Sequence, residues 1–148
     1  MFRVYLDNCV FNRPFDDQAG ERVRNETAAV LRILDEIRPG TLDLVRSFVN
    51  ESENLENPFL ANMWAISKWR DIAEIEITES PELLGLAKGL TDIGIGVGDA
   101  LHLAASAEAN ADFFLTTDDK ILRKLTDFEG VIVLDPIRMV AKIDEHAN

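Results

Sequence analysis

The sequence predicts a three-layer α/β/α sandwich with a mainly parallel central sheet. Short apolar runs that read as buried strands alternate along the chain with segments of helical periodicity, the pattern of an α/β domain. A length of 148 residues suits one hydrophobic core, so residues 1–148 are expected to form one domain. No apolar run approaches the roughly 20 residues that a membrane-crossing helix needs, which predicts no membrane association.

Residues 2–6 form an apolar run that stops at Asp7 and reads as the first strand. Residues 8–17, with their Asn, Arg, Pro and paired Asp, read as a loop. Over residues 19–37, Val23, Val30, Leu34 and Ile37 recur at helical spacing, with Thr27 in the same stripe, and Pro39-Gly40 ends the helix. Residues 42–46 form the second strand. Ser47 then caps a helix running through Glu51, and Pro58 interrupts before a further helix rich in Met63, Trp64, Ile66 and Trp69. Between residues 73 and 78, Ile75 and Ile77 alternate with Glu74 and Glu76, a strand with one wet face. Ser80-Pro81 is a helix start, a capping hydroxyl followed by proline at the first helical position. Gly94, Gly96 and Gly98 lead to Asp99, and the Ala- and Leu-rich residues 100–109 predict a closely packed helix. A strand over residues 113–116, a helix carrying Ile121, Leu122 and Leu125, a strand over 131–134 and a helix over 136–145 complete the order.

A single cysteine, Cys9, excludes an internal disulfide framework, and the N-terminus lacks a signal-peptide pattern, so a cytoplasmic protein is expected. The formal net charge of -12 argues against a basic surface that would neutralise nucleic-acid phosphates. Acidity keeps a protein soluble, but acids gathered in one place also hold divalent cations, which invert the local potential.

The positions of the acids decide between these readings. Asp7 directly follows the first strand, and Asp118 follows the strand over 113–116. In open parallel sheets, ligands bind outside the carboxyl ends of strands. Asp99 opens a helix after the glycine-rich approach, and Glu51 lies one turn into the helix after the second strand. The spacing predicts that Asp7, Glu51, Asp99 and Asp118 converge at one end of the sheet. Phosphodiester cleavage needs phosphate charge neutralised and a water activated, and divalent ions supply both. Mg²⁺ takes oxygen ligands and keeps several waters, so a few carboxylates suffice. His102 and His146 stand in no zinc-ligand pattern with the cysteine. A metal-free cluster of carboxylates repels itself and raises at least one pKa. Taken singly, an acid at a helix start such as Asp99 or Asp118 reads equally well as a plain cap.

The chain resembles the PIN-domain family of small nucleases, whose bacterial members include VapC-type toxins. The resemblance spans essentially the whole chain and rests on an ordered set. The set is the strand ending Val4-Tyr5-Leu6-Asp7-Asn8, then Ser47-x-x-x-Glu51, then Gly98-Asp99-Ala100-Leu101-His102-Leu103-Ala104-Ala105, then Phe114-Leu115-Thr116-Thr117-Asp118. It implies a Mg²⁺- or Mn²⁺-dependent endoribonuclease with Asp7, Glu51, Asp99 and Asp118 as catalytic, metal-holding acids, acting on RNA and, in toxin members, paired with a cognate antitoxin protein. Small size and the paired helices around Trp64 suggest a homodimer. The loop Asn12-Arg13-Pro14-Phe15-Asp16-Asp17 is longer than in many members, and Asn8 stands where the family often carries a hydroxyl. Asn8 can still bond a water or phosphate.

Asp119 beside Asp118 leaves the fourth acid open between the two. Glu53 competes less with Glu51, because residues two apart point to different helix faces. Thr116 reads either as an orienter of the fourth carboxylate or of a bound water, or as structural; Arg13 reads as a partner of Asp16 or Asp17 rather than as a phosphate grip, and Cys9 as a small buried residue. His102 reads as hydrogen-bonded packing rather than as a base. Lys120, Arg123 and Lys124 make a local basic patch, either a guide for RNA or a solvated helix face. A haloacid-dehalogenase phosphatase needs a second Asp where Cys9 stands. A phospho-receiver module needs an acid pair after the first strand, where Asp7-Asn8 supplies one. A PIN-like module that binds nucleic acid or protein without cutting is the remaining alternative.

Overall fold

The structure, a computed structural model, describes residues 1–147. The strands are β1 (Phe2–Leu6), β2 (Leu42–Ser47), β3 (Ile75–Ile77), β4 (Phe113–Leu115), β5 (Asp127–Phe128) and β6 (Val131–Leu134). The helices are α1 (Asn8–Asn12), α2 (Glu21–Ile37), α3 (Phe48–Leu55), α4 (Leu60–Ser67), α5 (Trp69–Ile72), α6 (Pro81–Asp92), α7 (Val97–Glu108), α8 (Asp119–Lys124) and α9 (Pro136–Ala147), with a 3₁₀ turn at Arg13–Phe15. The sheet order is β3-β2-β1-β4-β6-β5. All neighbours are parallel except β5 and β6, so the expected mainly parallel sheet is present.

Strand periodicity builds the two cores. Val4 and Leu6 face one side with Leu42, Leu44, Phe113 and Leu115, and pack on α2 and α9 through Ile33, Leu34, Met139 and Ile143. Tyr5, Val45, Phe114 and Val133 face the other side and pack on α6 and α7. The alanines of α7 let that helix lie close to the sheet: Ala100, Ala104 and Ala105 are fully buried. Helices therefore cover both faces, which gives the three layers.

Residues 8–17 depart from the loop their polar composition predicts. Val10 and Phe11 are buried and anchor a short helix, and Asn12 Nδ2 donates to the Asn8 carbonyl at 2.9 Å within it. β5 was also not expected. It is two residues long and joins β6 through Glu129 and Gly130, both at positive φ, so a tight turn makes the pair. The expected helix after Pro58 divides into α4 and α5, leaving Trp69 buried under the Arg38 guanidinium at 4.9 Å and Trp64 exposed. Among the described residues no helix is long and apolar enough to cross a membrane.

The strand order reverses between β1 and β4: the chain runs from β1 outward to β2 and β3, then returns to β4 and continues outward to β6. The crevice outside the carboxyl ends of β1 and β4 is thus the switch point at which α/β sheets place their ligands.

Candidate active site

Asp7 stands at that crevice. Its N–H donates to the Leu115 carbonyl at 2.9 Å, extending the β1–β4 pairing by one residue. Asp7 precedes α1 but makes no side-chain cap, so its carboxylate is free for other partners. Thr116, fully buried after β4, donates from Oγ1 to Asp7 Oδ2 at 2.9 Å and accepts from the Asp118 N–H at 3.1 Å. One hydroxyl therefore sets both the Asp7 carboxylate and the backbone that presents Asp118. The carboxylate that Thr116 orients is thus that of Asp7, the first acid, and it reaches the fourth, Asp118, only through the backbone N–H.

Asp99 is the third residue of α7, whose N-cap is Gly96, and it makes no capping bond. Its carboxyl is pushed up to about 6, by burial first and then by the charges of Asp7 and Asp118 and, more weakly, Glu53, with His102 opposing. Asp118 does cap a helix: its Oδ1 accepts from the N–H groups of Lys120 at 2.7 Å and Ile121 at 3.3 Å. The negative charge of Asp118 is nevertheless felt at Asp99, where it helps to raise the pKa. Asp119 is engaged elsewhere, gripped by Arg22 at 2.9 and 2.8 Å and held below the usual carboxylate range by that hydrogen bond. Of the two adjacent acids, Asp118 is the one that belongs to the cluster.

The structure does not bring Glu51 to this cluster. Glu51 instead faces Arg46 at 3.4 Å and Arg70 at 3.8 Å on another side of α3. Glu53, the lesser alternative by sequence, is the acid of α3 that stands beside Asp7. Its Oε1 meets His102 Nε2 at 2.6 Å, and ligand atoms of Asp7, Glu53 and His102 all lie within 4.8 Å of one another. The cause is helix register: two residues turn an α-helix by about 200°, so Glu51 and Glu53 point to different sides. The signal was present in the sequence. The buried residues of α3 near its start are Val49 and Asn50, which lie four and three residues before Glu53 and share its side. Gly98 completes the approach, since a Cβ there would come within 3.2 Å of Glu53 Oε2.

His102 is fully buried, and its two ring nitrogens bond Glu53 and the Tyr5 hydroxyl, the latter at 2.7 Å. Tyr5 in turn meets Ser47 Oγ at 2.6 Å. Burial alone would lower the His102 pKa, but the Glu53 hydrogen bond and the charges of Asp7, Glu53 and Asp99 outweigh it and raise the pKa. Burial holds the Tyr5 phenol well above its ordinary value, so it remains a proton donor. The chain from Ser47 through Tyr5 and His102 fixes Glu53 in place, which is the hydrogen-bonded packing role expected of His102.

Asn8 does not offer its amide to the crevice as expected. Its Nδ2 donates to the Asn50 carbonyl at 3.0 Å, and its Oδ1 accepts from Asn50 Nδ2 at 2.7 Å. Asn50 also donates to the Leu6 carbonyl and caps Ser47 N–H, so this pair fastens α3 to the end of β1. Arg13 binds Asp16 as expected and also buried Glu26, each at 3.0 Å. Lys124 donates to the Gly94 carbonyl at 2.8 Å, which ties the basic patch to the loop before α7. Burial pushes the Cys9 thiol up to about 12, so it is an inert packing group.

Asp7, Glu53, Asp99 and Asp118 form no ion pair with Lys or Arg among the described residues. His102 Nε2 is committed to Glu53, so the donors that remain are carboxylate oxygens. That set fits a hard divalent cation such as Mg²⁺ or Mn²⁺ better than zinc.

Comparison with known proteins agrees with this architecture. No family model and no curated protein sequence matches the chain. Solved structures do share its fold. VapBC-1 from nontypeable Haemophilus influenzae matches with a TM-score of 0.62 and 14% identity, over 90% of this chain and 98% of that one. FitAcB from Neisseria gonorrhoeae matches with a TM-score of 0.58 and 12% identity, over 90% and 97%. VapBC2 from Rickettsia felis, solved bound to a DNA fragment from its promoter, matches with a TM-score of 0.57 and 13% identity, over 90% and 98%. The fold is accordingly PIN-like across nearly the whole chain.

Proposed function

We propose that this chain is a divalent-metal-dependent nuclease of the PIN type that hydrolyses RNA phosphodiester bonds. The observation that carries the reading is the convergence of four carboxylates at the β1–β4 switch point with no Lys or Arg neutralising them. Asp7, Glu53, Asp99 and Asp118 are the proposed metal-holding residues, with Glu53 in the role first expected of Glu51. A bound Mg²⁺ or Mn²⁺ supplies charge neutralisation at the phosphate and activation of water. Thr116 holds the Asp7 carboxylate, and His102 holds one oxygen of Glu53 so that the other is free to orient the attacking water. Attack of the water oxygen would form a new bond to phosphorus as the bond to the leaving ribose oxygen breaks, the water giving up a proton to solvent and the ribose oxygen taking one up. A cognate antitoxin and a homodimer belong to the same reading, through the resemblance to VapC-type toxins.

The test is cleavage of a mixed RNA pool with Mg²⁺, with Mn²⁺ and with EDTA, comparing the protein with its Asp99→Asn variant. Metal-dependent cleavage that the variant loses supports the reading. Absence of cleavage by folded protein under every metal points to a binding module, and equal cleavage by the variant means that the site is elsewhere.

A further inference from the structure

Beside the acid cluster lies an open cavity of about 370 Å³, within the roughly 300–1,000 Å³ range of small-molecule sites. Asn8 and Glu53 belong to both its wall and the cluster's surroundings, so whatever fills the cavity sits next to the reacting group. The rest of the wall comes from α1, the following 3₁₀ turn and the α3–α4 junction. Two phenylalanines flank it, Phe15 at 45% and Phe59 at 66% exposure, unusual for aromatic rings without a partner.

Of the polar groups of the wall, Asn8 is held by Asn50, Asp16 by Arg13 and Glu53 by His102, and the others are of two kinds. Asn12 and Asn57 are frame: Asn57 Nδ2 donates to Asn12 Oδ1 at 3.1 Å, Asn57 Oδ1 accepts from the Phe59 N–H at 3.0 Å, and Asn12 Nδ2 donates to the Asn8 carbonyl. Asn62 and Glu56 make no side-chain hydrogen bond or ion pair among the described residues. No Lys or Arg lines the cavity, and nearby Arg13 is occupied by Asp16 and Glu26, so a phosphate is excluded as occupant. With the carboxylates of Asp16, Glu53 and Glu56 on the wall and two aromatic rings at its flanks, a flat group with N–H donors fits instead.

We infer that this cavity receives the unstacked base of the nucleotide beside the scissile phosphate, stacked on Phe59 and read at its edge by Asn62 and Glu56. The inference rests on the nuclease reading above and names its substrate as single-stranded RNA. Unpaired bases are recognised in this way, by aromatic stacking and hydrogen bonds to exposed edges. A carboxylate only accepts, and guanine alone offers it two adjacent donors, N1–H and N2–H, while its O6 accepts from the Asn62 amide. Guanine is therefore the preferred base and uracil the poorest.

The experiment measures cleavage site by site on a single-stranded RNA containing all four bases, for the full chain and for Phe59→Ala, Asn62→Ala, Glu56→Gln and Trp64→Ala. Titration with the four nucleoside monophosphates runs in parallel. Loss of one stacking contact should lower cleavage at all sites about tenfold in Phe59→Ala, because every base has a face to stack, whereas Asn62→Ala should lower the ratio of guanine-site to other-site cleavage. Glu56→Gln should narrow the gap between guanine and adenine. Trp64→Ala, on the same helix but outside the cavity, should leave the ratio where it was. Cleavage without base preference, or an unchanged rate in Phe59→Ala together with an unchanged ratio in Asn62→Ala, overturns the inference while the nuclease reading stands. If the chain cuts nothing yet binds guanosine monophosphate in a Phe59-dependent way, the cavity assignment holds and the nuclease reading falls. If nucleotides do not bind but an Arg-rich peptide does, in a Phe59- and Glu56-dependent way, the cavity is a protein contact and the inference is wrong. Asn62→Ala, a change at a polar position on the cavity wall, keeps the test decisive should Phe59→Ala fail to fold.

Discussion

Glu51 and Glu53 lie two residues apart on α3, and their surroundings assign them opposite tasks. Glu51 balances the buried Arg46 guanidinium, whereas Glu53 is held by His102 and faces Asp7. Glu53→Gln should therefore lower metal-dependent cleavage by about a hundredfold or more. Glu51→Gln should leave cleavage within about threefold and instead cost stability, because it leaves a buried cation poorly compensated. Parallel rate and melting measurements on the two variants separate these roles, and the reverse pattern would return the site to Glu51. Asp99 gives a second prediction at this scale. Its folded pKa of about 6 lies above the ordinary 3.8, so between those values the folded state binds more protons than the unfolded chain. Stability of the metal-free protein then falls as pH rises through this window and the contribution is flat above it. Asp99→Asn should remove that slope and melt a few degrees higher at neutral pH without metal. A variant that melts lower than the parent at neutral pH would mean that the cluster is not under repulsion.

The elements explain why some of this was legible in the sequence and some was not. Asp7, Asp99 and Asp118 sit at element edges that composition marks well: the end of an apolar run, a glycine approach, a residue just past a strand. Their convergence then follows from a parallel sheet with its switch point at β1 and β4. Glu53 could not be found from edges alone, because the decision lies in the register of α3, set by the Ser47 cap and the burial of Val49 and Asn50. Residues 8–17 misled for another reason: two buried residues, Val10 and Phe11, outweigh six polar or turn-forming neighbours in holding a helix. The element scale also carries its own prediction. At Gly98, the second residue of α7, an added methyl meets no backbone but lies 3.2 Å from Glu53 Oε2. Gly98→Ala should keep or slightly raise the melting temperature, since alanine is the better helix former. Cleavage should nevertheless fall about tenfold as Glu53 is displaced. Equal activity would show that α3 yields at no functional cost.

At the scale of the whole molecule the charge of -12 becomes a kinetic statement. An acidic protein cannot draw RNA in through its net field, and of the basic side chains around the site Arg13 is engaged with acids and Lys124 with a backbone carbonyl, which leaves Lys120 and Arg123 of α8 as the local cations. Binding to nucleic acid that rests on many phosphate contacts weakens steeply with salt, by about one power of salt concentration for each neutralised phosphate. Here the phosphate contacts are assigned to metal ions held by four carboxylates, and the remaining surface repels. Raising salt from about 0.01 to about 0.1 M shortens the screening length from about 30 to about 10 Å, which weakens that long-range repulsion before it weakens contacts inside the crevice. The KM for single-stranded RNA at fixed saturating Mg²⁺ should accordingly stay level or fall over this range rather than rise. A steep rise in KM, of several powers of salt, would require more phosphate contacts than Lys120 and Arg123 provide, and would shift attention to a partner that supplies them.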